Sequence, residues 1–252
     1  MDFSGKTVLI TGGSRGIGKA TAIAFAERGA KVAINFKSNN KAASQTCEML
    51  SGEGHIAIKA DISKPEAVEK MIDAVIKEFG QLDILVNNAG IHEVHPAHSV
   101  DYSTWQKIWK ETIDTNLLGA ANTTFCAAQY MIKAGGGRIV NVSSRGAFRG
   151  EPDQPAYGAS KAAMNAMSQS LAQSLAPYNI FIGVVAPGFT ETDLAREILD
   201  GPRGEGIRKQ SPLERVALPE EVAYGILFLA SEEAKFMTGA ILDINGASYL
   251  RS

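Results

Sequence analysis

The sequence predicts an α/β fold made of one doubly wound domain, with a seven-stranded parallel sheet and helices on both of its faces. Short apolar segments typical of buried strands alternate along the chain with longer segments that have helical periodicity. No linker rich in Pro, Gly or Ser divides the 252 residues, and this length suits one large α/β domain. We therefore expect residues 1–252 to form a single domain.

Seven apolar segments are the predicted strands. They are, in chain order, Lys6–Thr11, Lys31–Phe36, His55–Ala60, Asp83–Val86, Arg138–Val142, Ile180–Val185 and Ala240–Ile244. The Ala-rich segment 19–28 after the first strand has helical periodicity. So has segment 65–79 after the third strand, where Pro65 suits a first helical turn. In open parallel sheets, ligands bind at the carboxyl ends of the strands. The polar residues that follow these ends are therefore candidates for a common site.

Charge and cysteine content narrow the possible functions. The net charge of −2 is spread along the chain, so no basic patch for nucleic acid is expected. The N-terminus has no basic and apolar leader, and the longest strongly apolar stretch, around 226–230, is too short to span a membrane. Cys47 and Cys126 lack metal-ligand spacing and are expected to be reduced thiols. We expect a cytoplasmic protein that binds neither nucleic acid nor membrane.

A glycine-rich turn follows the first predicted strand. Gly12, Gly16 and Gly18 lie between this strand and the Ala-rich helix. Strand, glycine turn and helix form the arrangement in which backbone N–H groups approach a pyrophosphate. The spacing is Gly-x-x-x-Gly-x-Gly rather than the common Gly-x-Gly-x-x-Gly. A plain connection between a strand and a helix remains the alternative.

A second candidate group lies in the segment Y-G-A-S-K. If this segment is helical, Tyr157 and Lys161 share one face, one turn apart. A nearby ammonium group favours the phenolate, so we expect the pKa of Tyr157 to be lowered toward a value that suits proton transfer. Ser144, thirteen residues upstream, then holds a substrate oxygen by a hydrogen bond. The alternative is two solvated side chains on an ordinary helix.

Together these residues resemble the motifs of the short-chain dehydrogenase/reductase family. The matching positions are T-G-x-x-x-G-x-G at 11–18, N-N-A-G at 87–90, Asn116, Ser144, Tyr157, Lys161 and the Pro-Gly pair at 187–188. The resemblance runs from Lys6 to about Asn245, with the motifs in the family's order and spacing. It implies a Rossmann fold and an NAD(P)-dependent oxidoreductase. Such an enzyme transfers hydride between the nicotinamide and a carbonyl or secondary alcohol of a small-molecule substrate.

The resemblance also implies a role for each matching residue. Ser144 orients the reacting oxygen, Tyr157 exchanges its proton, and Lys161 binds the nicotinamide ribose and lowers the pKa of Tyr157. Asn116 positions a water that relays protons to Lys161. No catalytic metal is implied. The implied cofactor-binding residues are Gly12, Ser14, Arg15, Gly16, Ile17, Gly18, Lys37, Asp61, Ile62, Asn88, Ala89, Gly90, Tyr157, Lys161, Pro187, Gly188, Thr190 and Thr192.

Charges near the second predicted strand favour NADP(H) over NAD(H). An NAD-binding domain usually carries Asp or Glu at the end of this strand, where it binds the ribose 2′-hydroxyl. That position aligns with Phe36, and the cations Lys37 and Arg15 would attract a 2′-phosphate. The alternative is that both are solvated surface cations.

The sequence constrains the substrate less than the cofactor. Residues 188–213 occupy the family's substrate-lid position. Arg145 and Arg149, just after the candidate serine, are placed to meet either a substrate carboxylate or phosphate, or a neighbouring subunit. The 3-oxoacyl-carrier-protein reductases are the most similar subfamily by pattern, but their two carrier-docking arginines correspond to Gly135 and Tyr178. An NAD-linked sugar or polyol dehydrogenase and a non-catalytic, cofactor-sensing regulator remain alternatives.

Three histidines, His92, His95 and His98, cluster with Glu93 after the N-N-A-G motif. Histidine clusters bind zinc in many proteins, but Pro96 interrupts regular spacing here. We expect structural or substrate-lining roles for these histidines.

Segment 156–176 is rich in Ala and Ser, which leaves room for a neighbouring helix. In the family that the chain resembles, such helices commonly pair across a two-fold axis, and the end strand pairs across another. We therefore predict a D₂ homotetramer in which a neighbouring subunit buries Tyr249 and Leu250. Close packing on the sheet of the same domain is the alternative use of the small residues.

Overall fold

A computed structural model describes residues 1–251, except for the side chains of Asp193, Leu194 and Glu197. Seven parallel strands form one sheet in the order β3-β2-β1-β4-β5-β6-β7. They are β1 (Thr7–Ile10), β2 (Lys31–Phe36), β3 (Ile56–Lys59), β4 (Ile84–Asn87), β5 (Gly137–Val142), β6 (Ile180–Pro187) and β7 (Ile241–Ile244). Every predicted strand is present, with small differences in its bounds. The predicted fold class is confirmed.

Ten α-helices connect and cover the strands in the described part of the chain. They are α1 (Gly16–Ala26), α2 (Asn40–Glu48), α3 (Pro65–Phe79), α4 (Tyr102–Ile113), α5 (Ala120–Ala134), α6 (Gly146–Arg149), α7 (Pro155–Leu175), α8 (Asp193–Asp200), α9 (Gly204–Arg208) and α10 (Pro219–Ala230). The first helix begins before the predicted start at Lys19, because the Lys19 N–H already donates to the Arg15 carbonyl. None of the described helices combines the length and the apolarity that a membrane crossing needs.

Helices bury both faces of the sheet. The central strands β1 and β4 are buried along their whole length. On one face, α1 and α10 pack together around Phe25 and Ile226. On the other face, α3 and α5 pack around Met71 and Met131. Burial on both faces explains why the strands are continuous apolar segments in the sequence.

A π-helical turn interrupts the long helical region before β5. Helix α4 passes directly into the π-helical residues Asp114–Gly119, and these pass into α5. Helix α4 packs against α7, whereas α5 packs against α3. Asn116 lies inside the π turn and is fully buried. Such turns are frequent at functional sites, and this one places the Asn116 amide close to the strand ends.

Candidate active site

A cleft of about 570 Å³ opens at the carboxyl ends of the strands. It extends from the glycine turn after β1 to Tyr157 near the start of α7, and residues of segment 188–210 line one side of it. The strand order reverses between β1 and β4, and ligands of doubly wound sheets bind at such a reversal. Polar residues that are far apart in the sequence therefore face a single cavity.

The glycine turn is shaped for close approach of the backbone. Gly12 and Gly16 have φ angles of +64° and +53°, which favour glycine. A Cβ atom on Gly12 would lie 2.9 Å from the Cα of Ala89, and a Cβ on Gly18 would collide with the Gly12 carbonyl oxygen. The turn is tied to the end of β4, because Asn88 Nδ2 donates to the carbonyls of Thr11 and Gly12 at 3.0 and 3.1 Å. The cradle is therefore rigid.

All the predicted cofactor-binding residues line the cleft except Gly18. Gly18 lies behind the turn, where it lets α1 pack against the Gly12 carbonyl. Across the cleft, Thr192 caps the start of α8, and Thr190 donates to the Gly188 carbonyl. The placement of these residues agrees with the predicted site, and their roles in binding remain predictions.

Lys37 and Asp61 form an ion pair at the far end of the cleft. Lys37 Nζ lies 2.9 Å from Asp61 Oδ2, and the Lys37 side chain is 68% exposed. Partial burial raises the pKa of Asp61, but hydrogen bonds from Lys37 and Ser63 outweigh this effect, so the pKa lies below its usual value. The cation predicted to meet a 2′-phosphate is thus already paired with a carboxylate.

Lys161 is a buried cation at the centre of the cleft. Its side chain projects from α7 beneath Tyr157, with Nζ 5.8 Å from the centroid of the phenol ring. Nζ donates to the Val142 carbonyl at 2.7 Å, and the residue is only 3% exposed. Burial lowers the pKa of Lys161 to about 8. Tyr157 and Lys161 therefore share one face of α7, as predicted.

The predicted direction of the Tyr157 pKa shift is wrong. Burial raises the pKa of Tyr157 above its usual value, and the charge of Glu151 adds to the effect, whereas the Ser144 hydroxyl opposes it. The loss of hydration disfavours the phenolate more than the hydroxyl of Ser144 favours it. The Lys161 ammonium, in turn, donates to the Val142 carbonyl. The lowering expected from Lys161 is therefore not found.

Ser144 and Asn116 differ in their access to the cleft. Ser144 lines it, and its Oγ accepts a hydrogen bond from Gly146 N–H at 3.0 Å. Asn116 lies behind the cleft wall, where its Oδ1 accepts from Ile91 N–H at 2.8 Å and its Nδ2 donates to the Ile91 carbonyl at 2.9 Å. Only Gly90 separates the Asn116 amide from Lys161, since a Cβ there would lie 3.3 and 3.5 Å from the two side chains. Asn116 thus fixes the segment that borders Lys161.

The three histidines have separate environments, and His98 is exposed at the surface. His95 is buried, with Nδ1 2.7 Å from the Glu93 carbonyl and Nε2 accepting from Ala156 N–H at 3.2 Å, so its role is structural. His92 lines the cleft, and its ring meets the Tyr157 ring edge-on at 5.9 Å. Burial and then the charge of Lys161 lower the pKa of His92. No group of three metal-binding side chains occurs among the described residues.

Asn35 and Gln210 are among the polar residues of the cleft that were not predicted. Asn35 in β2 is buried, accepts from Gly12 N–H at 3.4 Å and donates to the Ala60 carbonyl at 3.0 Å. A lone amide inside an apolar strand was the signal that could have identified it. Gln210 lines the cleft and accepts hydrogen bonds from Arg145 and Arg149. Nothing near Gln210 in the sequence marks it, because its partners lie about sixty residues upstream.

Known proteins match nearly the whole chain. The family model described as short chain dehydrogenase matches residues 6–203. An uncharacterized oxidoreductase of Thermotoga maritima is 40% identical over 255 residues, covering 98% of this chain and 99% of that protein. The 3-oxoacyl-[acyl-carrier-protein] reductase FabG of Escherichia coli is 37% identical over 250 residues, covering 99% and 100%. A crystal structure of a short chain dehydrogenase from Burkholderia cenocepacia J2315 in complex with NADP has a TM-score of 0.87 and 32% identity, covering 98% and 99%.

The fold and the cleft define a doubly wound α/β oxidoreductase. The chain belongs to the short-chain dehydrogenase family, because the family model covers most of it and relatives above 30% identity match it almost from end to end. The resemblance inferred from the motifs and the inference that the protein is an enzyme are both confirmed.

Proposed function

We propose that this protein is an NADP(H)-dependent oxidoreductase that interconverts a carbonyl compound and the corresponding secondary alcohol. One observation carries the proposal: Ser144, Tyr157 and Lys161 line the same cleft as the rigid glycine turn. A hydroxyl, a phenol and an ammonium group beside a dinucleotide cradle match the needs of hydride and proton transfer. The family membership of the chain and the NADP bound to its Burkholderia neighbour support the same reaction class.

The residues of the cleft fit a bound dinucleotide. The glycine turn presents backbone N–H groups in a space that a Cβ on Gly12 would fill. Lys37 and Arg15 offer positive charge to a 2′-phosphate. Phe36 stands at the position where an NAD-binding domain usually has an acidic side chain. Asp61 and Ile62 would hold the adenine, and Thr190 and Thr192 would hold the nicotinamide. Bound NADP(H) would supply or accept the hydride.

The protein's own groups handle the substrate oxygen and its proton. Ser144 Oγ holds the oxygen by a hydrogen bond, and Tyr157 Oη gives it a proton during reduction or takes one during oxidation. Lys161 Nζ would hold the nicotinamide ribose of the bound cofactor. Asn116 fixes the Ile91 backbone. It would position a water on the proton route to Lys161.

A 3-oxoacyl thioester is the first substrate to test. The Escherichia coli relative is named as a 3-oxoacyl-[acyl-carrier-protein] reductase. Docking of the carrier protein itself receives less support, because Gly135 and the half-exposed Tyr178 stand at the two positions of the subfamily's docking arginines. Pantetheine or coenzyme A thioesters are therefore better probes than a carrier-bound substrate.

Steady-state rates with a substrate panel test the function. The panel contains 3-oxoacyl thioesters, simple ketones, oxo acids and sugars, each with NADPH and with NADH, followed by the absorbance of the reduced nicotinamide. We expect turnover of at least one carbonyl compound, with NADPH preferred. An NAD-linked sugar or polyol dehydrogenase would instead oxidise a polyol with NAD⁺. Tight cofactor binding with no turnover of any compound would favour the alternative of a non-catalytic, cofactor-sensing regulator and would reject the enzymatic proposal.

We propose that residues 1–252 form one domain and that segment 188–213 acts as a lid over its substrate site. The segment contains α8 and α9, lines one side of the cleft, and is anchored by a bridge between Thr190 and Ala217. Limited proteolysis provides the test. Cleavage inside 188–213 should slow when NADPH and a substrate analogue are added together, and unchanged cleavage would contradict a lid.

We propose a cytoplasmic homotetramer. Helix α7 exposes small residues such as Ala159 and Ser170, and Leu250 is 78% exposed in the single chain, as expected of a residue that a neighbour covers. Both cysteines are free and half-buried, which suits a reducing compartment. Light scattering at micromolar concentration should give four times the chain mass. A monomer mass would reject the assembly, and a dimer would mean that only one of the two predicted interfaces forms.

A further inference from the structure

Arg145 is a buried cation beside the reacting groups. It directly follows Ser144 in the sequence and lines the same cleft, yet it is only 6% exposed. Its guanidinium donates to Ser248 Oγ and to Gln210 Oε1, both at 2.5 Å. Both acceptors are neutral, so these two hydrogen bonds do not balance the charge. A buried charge without a counter-charge is costly.

Every described carboxylate that lines the cavities around Arg145 is paired with a different cation. Arg145 lies between the main cleft and a smaller cavity of about 160 Å³, and four carboxylates line these two spaces. The pairs are Asp61 with Lys37 at 2.9 Å, Glu151 with Arg149 at 4.0 Å, Glu221 with Arg215 at 2.6 Å and Asp243 with Arg251 at 2.7 Å. Among the described side chains, Arg145 therefore has no ion-pair partner of its own.

Arg149 affects the pKa of Arg145 more strongly than Glu151 does. Burial and the neighbouring Arg149 lower the pKa of Arg145, and Glu151 opposes them only in part. Arg149 also points to the same acceptor, since its guanidinium lies 3.4 Å from Gln210 Oε1. One oxygen of the lid segment thus receives donors from two guanidinium groups. An anionic oxygen of a ligand would suit this position better than an amide, because guanidinium groups bind carboxylates and phosphates in a planar, two-pronged geometry.

We propose that Arg145, assisted by Arg149, binds an anionic oxygen group of the substrate, a carboxylate or a phosphate, close to the reacting carbonyl. The anion takes the place of Gln210 Oε1. The inference rests on the proposed function for the location of the reacting carbonyl. It narrows the substrate to a small oxo or hydroxy acid or to a phosphorylated carbonyl compound, in place of the 3-oxoacyl thioester. Arg145 is then the residue that selects a charged substrate over a neutral one of the same shape.

Direct binding tests the proposal without any turnover. Calorimetric titration of the full-length protein compares acetoacetate with its methyl ester, and dihydroxyacetone phosphate with dihydroxyacetone. Wild type should bind at least one anion more tightly than its neutral counterpart by about 10- to 100-fold, the range for hydrogen bonds to a charged group. The first pair identifies a carboxylate and the second a phosphate. Equal binding within both pairs, or no binding of either anion, would overturn the proposal.

Four variants identify the source of the discrimination. Arg145→Gln should abolish it, and Arg145→Lys, which keeps the charge but not the planar fork, should keep part of it even if Arg145→Gln folds poorly. Gln210→Ala should still bind the anion, because the amide only occupies its place. Arg215→Gln is the matched control, since this arginine lines the smaller cavity but is paired with Glu221. Discrimination that survives unchanged in both Arg145 variants would contradict the assignment.

A further comparison separates this inference from the proposed function. Tyr157→Phe should keep the wild-type ratio of anion binding to neutral-counterpart binding, because the phenol hydroxyl contacts the carbonyl that both ligands of a pair share. If the protein turned over no substrate but Arg145 still governed anion binding, the reaction would be wrong and the anion site right. If it reduced neutral ketones and bound no anion, the reverse would hold.

Discussion

The two ends of the cleft carry positive charge in opposite ways. At the cofactor end, Lys37 is 68% exposed and paired with Asp61. At the end beside Ser144, Arg145 is almost fully buried and donates to neutral acceptors among the described residues. An exposed and paired cation contributes modestly to binding and is easily tuned by its neighbours. A buried cation without a counter-charge favours a bound anion, because the anion offsets the cost of burying the charge. Substitutions at Lys37 should therefore shift the preference between NADPH and NADH in small steps, whereas substitutions at Arg145 should abolish the selection of charged over neutral substrates.

The largest effect is expected at Tyr157, which lies between the two ends of the cleft and is neither of the two cations. Tyr157→Phe removes the proton donor but keeps the ring, so turnover should fall by about 10²–10⁴-fold. Binding of NADPH should be unaffected, because neither cation is altered. Measured kcat and the NADPH dissociation constant check this expectation. Tyr130→Phe is the matched control, since this hydroxyl contacts Asp73 on the surface and should leave turnover unchanged. Near-normal turnover in Tyr157→Phe would rule out the role of Tyr157.

A second buried cation, Lys161, allows the cost of burial to be measured. Its pKa is about 8 in the folded protein, below its ordinary value of 10.5. Unfolding therefore takes up a proton between these pH values, so the free energy of unfolding should rise with pH there, by up to about 3 kcal/mol. Lys161→Met should lose this rise, together with turnover. Urea denaturation of both proteins at several pH values between 8 and 10 provides the measurement. Parallel pH profiles for the two proteins would contradict the burial cost.

The exposed cation at the cofactor end should give a smaller and reversible effect. Lys37→Asp removes attraction for the 2′-phosphate and adds repulsion, so the preference for NADPH over NADH should fall by about 10- to 100-fold. The ratio of kcat/KM values for the two cofactors reports it. Lys41→Asp introduces the same charge change at an exposed position that does not line the cleft. A preference unchanged in Lys37→Asp would mean that Lys37 is only a solvated cation.

The smallest effect concerns the partner of Lys37. Asp61→Asn removes the carboxylate that competes with a 2′-phosphate, so the NADPH-to-NADH preference should rise by about two- to fivefold, as expected for an exposed pair. A ratio of dissociation constants is the appropriate measurement, because any contact of Asp61 with the adenine affects both cofactors equally. A falling ratio would show that Asp61 orients Lys37 toward the phosphate rather than competing with it.

The cofactor end was more predictable from sequence than the substrate end, for a physical reason. Gly12, Gly16 and the strand before them are contiguous, so spacing alone predicts the turn. The shared helix face of Tyr157 and Lys161 likewise follows from a local period. The pKa of Tyr157 depends on burial by the whole fold, and its direction was predicted wrongly for that reason.

The hydrogen-bond partners of Arg145 could not be predicted from the sequence. Its two acceptors lie 65 and 103 residues downstream, so no local pattern contains them. What the sequence does contain is the arginine itself beside the candidate serine. The absence of a paired carboxylate among the described residues emerges only when the two cavities are assembled from β5, the lid segment and the C-terminal residues.

Helix α4, the π turn at Asp114–Gly119 and α5 together form one long helical rod. The π turn changes which side of this rod faces each neighbouring helix. Each residue turns an α-helix by about 100°, so one extra residue rotates everything after it by that angle. The rod can therefore present one stripe to α7 before the turn and a different stripe to α3 after it. Deleting a single residue from this turn would bring the two stripes into register on one side. The rod could then pack against only one of its two neighbours, α7 or α3. Asn116 would also move away from Gly90 and from the ammonium group of Lys161.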